Sequence, residues 1–477
     1  MNNGLSPIIL WFRRDLRLHD HFALEAASAS GRPILPLFIY DDPVQELGAA
    51  PKFRLGLGLG VLAETIQSRG SRLIFRRGSA LEALEAVIAE TGATSVFWTR
   101  SYDPTSITRD TLIKSKLAER GIEARSFAGH LLFEPWEVAT KAGQPFRVFT
   151  PMWRAVSGRD VATPRPEPRS LRPMSKWPRS DRLGDWHLDR KMNRGADVVR
   201  SFVKAGEAAA LDRLDAFLRR ISDYAGRRDS LDQAGTSDLS EYLSLGEISP
   251  RVIWHRVQNA ARLGASGTDA FLRQLIWREF SYHLMYHTPH MLTDNWKPDW
   301  GQFPWETCTI AKSAVCWKQA RTGVPIVDAG LRQMFVTGRM HNRARMIVAS
   351  YLTKHLMVHW KIGMDWFAEC LTDWDPAANA MGWQWVAGSG PDAAPFFRIF
   401  NPETQRERFD PKGTYLKQWI AEGSTSPTST ALAYFDAVPR SWGLKPSDSY
   451  PQPIVGLKEG RERALAAYES RKSPVRN

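Results

Sequence analysis

The residues best suited to chemistry lie between positions 271 and 410. There, Gln274, Trp277 and Arg278 stand at i, i+3 and i+4 of a predicted helix, so their side chains share one face. An amide, an indole and a guanidinium side by side can line a pocket for a flat heteroaromatic ligand with a phosphate. The same spacing is typical of a partly buried helix face with an arginine that reaches solvent, and spacing alone favours that plainer interpretation.

A second predicted helix carries Asn342, Arg345 and Met346 at the same spacing, with Arg343 directed elsewhere and within reach of a phosphate. A solvated basic face explains this spacing better than a binding site does. Spacing by itself therefore assigns no function to either helix.

A third segment begins with an acidic residue before a proline. Asp375 followed by Pro376 predicts the N-cap and first position of a helix, because proline lacks the N–H that would be unpaired there. Asn379 lies one turn further on. Trp383 and Trp385 cannot share a face of this helix, so we expect one to pack inward and the other to line a surface.

The elements that must position these residues fall into two groups. The first 135 residues alternate short apolar runs with helical stretches, which predicts a parallel α/β sheet. From about residue 200 onward, apolar residues recur at helical spacing. We therefore predict an α/β domain (1–135), an interdomain connector (136–200) and a helical domain (201–477). The apolar runs taken as strands are 8–12, 33–40, 73–75 and 95–98.

One glycine pattern is set aside. Gly58, Gly60 and Ala63 formally match a dinucleotide fingerprint, but no clear strand precedes them and they lie in a predicted helix. We do not expect a cofactor there.

Composition narrows the class of protein. The net charge of +13 favours a polyanionic partner, and the 19 tryptophans include rings that can stack on bases or flavins. The three cysteines match no zinc pattern, and we expect no metal site and a reducing, cytoplasmic location. The sequence has no apolar run long enough to span a membrane and no secretory signal pattern.

Seven segments resemble the photolyase/cryptochrome family, occur in the family order and span nearly the whole chain. They are 10–18, 245–251, 277–280, 322–329, 341–343, 382–385 and 397–402. The resemblance is greatest to cyclobutane pyrimidine dimer photolyases. It implies a Rossmann-like α/β domain followed by a helical domain that holds FAD, and light-driven repair of UV-damaged DNA, double- or single-stranded. It also implies a monomer.

The resemblance implies a set of FAD-binding residues, with Asn379 facing the flavin N5 atom. Plant cryptochromes typically carry Asp at that position, so Asn379 is typical of a photolyase. The residues implied to hold FAD are Tyr224, Thr236, Ser237, Leu239, Ser240, Arg278, Asn342, Arg345, Asp373, Asp375 and Asn379.

The resemblance also implies a lesion pocket, in which Trp277 and Trp385 sandwich the flipped dimer. Asn342 and Met346 resemble dimer photolyases rather than (6-4) photolyases, which have histidines in this helix. The residues implied to contact the lesion or the DNA are Arg228, Trp277, Asn342, Arg343, Met346, Trp385 and Arg398. Those implied to act in catalysis are Gln274, Asn342, Met346 and Asn379.

Photoreduction of the flavin requires a chain of oxidisable aromatics that leads to the surface. Trp383 and Trp360 match its first two members, and Trp305 is our choice for the third, with Trp374 as an alternative branch.

Two departures from the family pattern stand out. Gln274 replaces the usual Glu, and because an amide still carries N–H donors, we expect repair to survive with an altered yield. Arg339 stands where many relatives have Trp, and the sequence does not explain it.

Two alternatives stay open. The stretch 102–106 lacks the Asn-Glu pair that many members use for methenyltetrahydrofolate, so the antenna is that folate bound elsewhere, a deazaflavin, or none. The alternative function is a cryptochrome-like blue-light photosensor without repair, which Gln274 favours and Asn379 disfavours.

Overall fold

A computed structural model describes residues 5–392 and 397–472. Residues 1–4, 393–396 and 473–477, which fall within the predicted domains, lie outside this description. The N-terminal part contains a parallel five-stranded sheet of order β3-β2-β1-β4-β5. Its strands are β1 Ile8–Phe12, β2 Ile34–Tyr40, β3 Ile74–Arg77, β4 Ser95–Thr99 and β5 Glu123–Phe127. The predicted α/β fold is confirmed, and β5 is a strand that the apolar pattern did not indicate.

The sheet forms where it does because its central strands are apolar on both faces. Every residue of β1 is buried, as expected for a parallel strand covered by helices on both sides. In register, Ile8 of β1 pairs with Ile34 of β2 on one side and with Ser95 of β4 on the other. The chain order reverses between β1 and β4, and the loops that follow these two strands diverge at the carboxyl edge of the sheet.

Six helices follow or flank these strands. They are α1 Phe22–Ala29, α2 Asp42–Gln45, α3 Ala49–Ser68, α4 Ala80–Thr91, α5 Pro104–Glu119 and α6 Phe149–Val156. Gly58 lies inside α3, where an added Cβ would come 2.8 Å from the Oε1 atom of Glu247. The glycine allows α3 to pack closely against the segment that carries Glu247.

The rest of the described chain is helical. These helices are α7 Gly195–Arg200, α8 Glu207–Leu218, α9 Tyr224–Arg227, α10 Ser240–Leu245, α11 Pro250–Arg262, α12 Thr268–His287, α13 Lys312–Lys318, α14 Pro325–Thr337, α15 Asn342–Ser350, α16 Trp360–Cys370, α17 Pro376–Ala387, α18 Pro402–Phe409, α19 Thr414–Trp419, α20 Ser429–Ala437 and α21 Leu457–Lys472. A π-helical turn, Tyr351–His355, follows α15. As predicted, Pro376 begins α17 and Asp375 is its N-cap.

The connector is not a free linker. The backbone carbonyl of Arg172 accepts a hydrogen bond from Ile34, and Asp181 donates to the carbonyl of Phe75. The segment therefore lies along the α/β domain and is held by its backbone. The boundaries at 135 and 200 stay a prediction.

The sheet domain and the helical domain are joined by buried ion pairs. Arg54 pairs with Glu247 with both side chains fully buried, and Arg251 pairs with Asp20 at 3.0 Å. Charges buried at this depth are tolerated only when paired, and loss of one partner costs about 3–5 kcal/mol. These pairs fix the sheet edge against the helices that carry the candidate site.

Candidate active site

Trp277 lies half-buried on α12, and one face of its ring is covered. Phe149 of α6 stacks on it with ring centroids 3.8 Å apart and an interplanar angle of 6°. The guanidinium of Arg273 lies 5.7 Å from the Phe149 ring. Gln274, also half-buried, lies one turn before Trp277. The stack holds the indole in one orientation.

Asp392 connects this stack to Trp385, the second aromatic residue of the predicted sandwich. Its carboxylate accepts a hydrogen bond from the backbone N–H of Phe149, and its backbone carbonyl accepts from Trp385 Nε1 at 3.1 Å. Asp392 itself has a φ of 51°, a conformation that non-glycine residues adopt rarely. Sequence reasoning missed both Phe149 and Asp392, because neither shares a local motif with the tryptophan it holds.

The first turn of α15 presents one polar residue, Asn342, to the outside. Asn342 is exposed, and its Nδ2 lies 3.9 Å from the sulfur of Met346. Arg343 points away from them, as its position in the sequence indicates, and pairs with Asp229 at 3.0 Å. The Arg343 guanidinium also lies 4.3 Å from the Phe409 ring. The structure thus brings Asn342 and Met346 together and holds Arg343 on a different side of the helix.

Arg345 and Asp373 form an ion pair of 2.7 Å, with the aspartate side chain 3% exposed. Arg345 also donates from Nε to the carbonyl of Met340 at 2.8 Å. The Oδ1 atom of Asp373 is buried and has no hydrogen-bond partner among residues 5–392 and 397–472. A buried carboxylate oxygen without a donor is costly, so this position is suited to a ligand N–H.

Asp375 belongs to a polar cluster between the two domains. Its Oδ1 caps α17 by accepting from Ala378 N–H at 3.0 Å, and its Oδ2 accepts from Arg14 at 3.0 Å and from the hydroxyl of Tyr282. Burial opposes ionisation of this carboxyl, but Arg14 and Arg278 together hold its pKa below the usual value. Asp375 is therefore a charged link between α17 and the loop after β1.

Arg278 lies in the same cluster. It donates to the backbone carbonyl of His130 at 3.0 Å and contacts the His130 ring at 2.9 Å, with Glu279 at 3.2 Å. Burial, followed by the charge of Arg278, lowers the pKa of His130 well below its usual value. The structure places Arg278 against a neutral histidine, and sequence spacing contained no signal of that partner.

The loop before α10 supplies short hydroxyls. Thr236 donates from Oγ1 to Asp238 at 2.8 Å, and Asp238 has a φ of 54°. Ser237 is half-buried, Leu239 is buried, and Ser240 begins α10. Hydroxyl side chains in a loop that leads into a helix suit phosphate oxygens.

Two further predicted residues lie close to that loop in the sequence. Tyr224 of α9 is buried and packs edge-on against Phe271 at 5.4 Å between ring centroids. Arg228 lies 5.9 Å over the Tyr224 ring. Arg228 also lies 3.9 Å from Asp229, the residue that pairs with Arg343.

The three tryptophans of the predicted electron-transfer chain, Trp383, Trp360 and Trp305, are all buried in the helical domain. Trp383 packs so tightly against Gly363 that a Cβ there would lie 2.0 Å from its ring. Trp360, one turn before Gly363 on α16, donates from Nε1 to Asn295 at 2.8 Å. His359 lies between Trp360 and Trp305, with its ring centroid 5.3 Å from the first and 5.1 Å from the second. His359 is a further residue that the sequence did not indicate.

A cavity of about 700 Å³ separates the carboxyl edge of the sheet from α16 and α17. Arg14 of the loop after β1 and Tyr102 of the loop after β4 line it on one side. Trp374 and Asn379 line it on the other. In open α/β sheets, ligands bind in such a crevice, where the chain order reverses.

The donor set fits FAD. The structure provides an unpaired buried carboxylate oxygen beside Arg345 and a hydroxyl-rich loop suited to a diphosphate. The Asn379 amide donates from Nδ2 to the carbonyl of Met364 at 3.0 Å, which leaves its second N–H and its oxygen for a ligand. Within the described ranges, no cluster of three or more metal-ligating side chains occurs. Among the same residues, no helix is both long and apolar enough to cross a membrane.

The comparisons with known proteins agree with this geometry. The family model described as "DNA photolyase" matches residues 8–169, and "FAD binding domain of DNA photolyase" matches residues 271–470. A deoxyribodipyrimidine photo-lyase of Agrobacterium fabrum is 42% identical over 98% of both chains. Cryptochrome-2 of Arabidopsis thaliana is 34% identical over 95% of this chain and 77% of its own length.

A solved structure is similar over the whole fold. A bacterial class III photolyase from Agrobacterium tumefaciens superposes with a TM-score of 0.91, at 41% identity, over 99% of each chain. The resemblance noted in the sequence is thus confirmed. With both family models matched in order and nearly the full length shared with these relatives, the chain belongs to the photolyase/cryptochrome family of FAD-binding proteins.

Proposed function

We propose that this protein is a deoxyribodipyrimidine photo-lyase, which uses light and reduced FAD to split cyclobutane pyrimidine dimers in DNA. The observation that carries the proposal is Trp277, whose ring is fixed from behind by Phe149. A rigid indole with an apolar backing is suited to receive a flat damaged base, as is general for photolyases and other enzymes that act on extruded bases. The activity named for the relative that is 42% identical supports the same assignment.

When bound, reduced FAD supplies an electron under blue light and recovers it after the dimer is split. The protein supplies position and electrostatics. Asp373, held by Arg345, would accept a hydrogen bond from a flavin N–H through its unpaired Oδ1. The Asn379 amide would bond either protonation state of the flavin N5, because it carries both donors and an acceptor.

On the DNA side, Gln274 donates its amide N–H groups to the carbonyls of the dimer. A neutral donor stabilises negative charge that develops on the bases without repelling it. Trp277 and Trp385 contact the two apolar faces of the dimer, and Asn342 and Met346 contact its edge. Arg228, Arg343 and Arg398 bind DNA phosphates, which is consistent with the net charge of +13.

Trp383, Trp360 and Trp305, in that order from the flavin, would carry the electron that reduces it after photoexcitation. The contacts of His359 support this order. Its ring centroid lies 5.3 Å from that of Trp360 and 5.1 Å from that of Trp305, so a single ring connects the second and third tryptophans. Trp305 donates from Nε1 to the carbonyl of Thr353 at 3.0 Å, which keeps its ring fixed.

We also propose that the 700 Å³ cavity holds an antenna chromophore. Its position at the reversal of the strand order and its border with Asn379 support a light-absorbing ligand near the flavin site. Whether this ligand is a folate or a deazaflavin is decided by the absorption spectrum of the purified protein and by chromatography of the released chromophore.

Repair itself is the decisive test. The purified protein is reduced and mixed with an oligonucleotide that contains one thymine dimer, and restored thymine absorbance is followed under blue light and in the dark. We expect light-dependent repair. A photoreducible flavin without repair would instead favour the photosensor function, which the 34% identity with an Arabidopsis cryptochrome keeps as the second candidate.

We infer further that the protein works as a monomer in the cytoplasm. The three cysteines form no disulfide, which suits a reducing compartment. Light scattering of the holoprotein tests the monomer, and a dimer mass at micromolar concentration would overturn it.

A further inference from the structure

A second cavity, of about 250 Å³, lies beside Trp385 on the side of the C-terminal helix. Among its described charged residues, cationic side chains outnumber carboxylates. Lys297, Lys354, Arg398 and Arg471 face it, against the single carboxylate of Asp299. None of the roles proposed above uses Lys297, Lys354 or Arg471.

Lys354 is the central observation. It projects from the π-helical turn, is 1% exposed, and its ammonium donates to the carbonyl of Ala387. An ammonium has three donors, and in the described part of the chain no carboxylate forms an ion pair with Lys354. Burial, and then the charge of Arg471, lowers the pKa of this amine well below its usual value. Burial without a counter-charge therefore favours the neutral amine, whereas an anion that entered beside Nζ would favour the charged form.

The carboxylate of the cavity is not available to neutralise Lys354. Asp299 forms an ion pair with Arg471, and the Arg471 guanidinium lies 4.3 Å from the Trp300 ring, which holds it in place. With Asp299 paired to Arg471, no described carboxylate that lines the cavity is left to pair with Lys354 or Lys297. π-Helical turns such as the one that carries Lys354 occur frequently at functional sites.

Two aromatic walls of the cavity, Trp300 and Phe397, have ring faces that are already in contact with other side chains. Trp300 is stacked on Trp305 at 5.6 Å and covered by Arg471 on its ring. Phe397 is stacked on Tyr468 at 4.4 Å, and Lys354 lies 3.5 Å over its ring. These two rings therefore present cationic groups to the cavity rather than free faces for stacking.

We propose that this cavity is a phosphate-binding site centred on Lys354, with Lys297 and Arg471 as its other ligands. A tetrahedral phosphate presents several acceptor oxygens to donors that converge from different elements. Two sources share this chemistry: a free phosphate monoester, or a DNA backbone phosphate next to the lesion. The second rests on the proposed function, because Trp385 and Arg398 border both the cavity and the predicted lesion pocket.

The test compares Lys354→Met and Lys297→Met with Lys458→Met, a control on α21 whose side chain is 90% exposed. Calorimetry measures binding of inorganic phosphate to the FAD-loaded protein in chloride buffer. Binding of an undamaged oligonucleotide is measured from 50 to 200 mM salt. Flavin absorbance and melting temperature verify that each variant is folded.

We expect each cavity variant to weaken phosphate binding about tenfold, equivalent to about 1.4 kcal/mol, while the control is unchanged. If oligonucleotide affinity also falls and its salt slope decreases by about one, the site binds a DNA backbone phosphate. If oligonucleotide binding is unchanged, the site binds a free phosphate. If wild type binds no phosphate and neither variant alters DNA binding, the proposal is overturned. Because none of these readouts requires repair, failure of the photo-lyase assay is a separate result.

Discussion

Replacement of Phe149 by leucine tests whether the ring behind Trp277 is what makes the pocket selective for damage. Leucine keeps most of the buried apolar surface but removes the stacked pair, whose centroids are 3.8 Å apart. Such a pair contributes about 0.5–1.5 kcal/mol beyond burial. If that energy orients Trp277 for the lesion, the Kd for dimer-containing DNA rises about 2- to 13-fold.

The assay measures the Kd for the same oligonucleotide with and without one dimer, by fluorescence anisotropy in the dark. Affinity for undamaged DNA should not change, because phosphate contacts supply most of that affinity. Phe435→Leu is the matched control. Phe435 is also buried and packs against the ring of its neighbour Tyr434, and both lie in α20, away from Trp277. Both substitutions conserve most of the side-chain volume and should cost less than about 1.5 kcal/mol of folding free energy.

A double-mutant comparison tests whether Phe149 acts on dimer binding through Trp277. In a Trp277→Ala background, Phe149→Leu should have no further effect on dimer binding, because the residue acts through the indole. If the loss persists undiminished without Trp277, or if damaged and undamaged DNA lose affinity equally, Phe149 has only a structural role.

Three further predictions concern the lesion contact, the recharging chain and the pH dependence. Gln274→Glu should change dimer affinity by about 1 kcal/mol, roughly fivefold, and alter the quantum yield, since the ionised residue has no donor; unchanged values in repair assays would remove position 274 from the pocket. Trp305→Phe should abolish most light-dependent flavin reduction, followed by absorbance without chemical reductant, but leave repair by chemically reduced protein intact. Burial, and then His287, lower the pKa of His283 to about 4, and the ring accepts from Phe146 N–H. The unfolded chain therefore binds this proton first, so stability should fall as pH drops from 6.5 towards 4, by about 1.4 kcal/mol per pH unit for one proton. In denaturant titrations, His283→Gln should reduce the slope by this contribution of one proton, with the same change at the exposed His290 as the control.

Local signals in the sequence were sufficient for the architecture. The apolar runs near residues 8, 34, 74 and 95 correspond to four of the five strands. β5 was missed because its residues, Glu123–Phe127, are largely polar and pair at the sheet edge. The Asp375-Pro376 pair marked the start of α17, because a cap depends on neighbours in the chain.

Local spacing was less informative about partners. Arg345 was expected beside Asp373 and lies 2.7 Å from it, but that expectation came from the family resemblance and not from helix periodicity. Arg339, unexplained by sequence, donates to the carbonyl of Phe202 at 3.3 Å and lies 3.9 Å from the buried Glu241. It thus has a structural contact in the helical domain.

The sequence by itself determined the order of domains, the family and the residue types available for FAD and DNA, because apolar periodicity, caps and ordered motifs are properties of neighbouring residues. Only the tertiary structure decided which side chains meet. Phe149 reaches Trp277 across 128 positions and Arg14 reaches Asp375 across 361. The two cavities are likewise bounded by elements far apart in the chain. Such contacts depend on how complete helices and the sheet pack together. The spacing of residues along one helix carries no information about which residues lie on the element that packs against it.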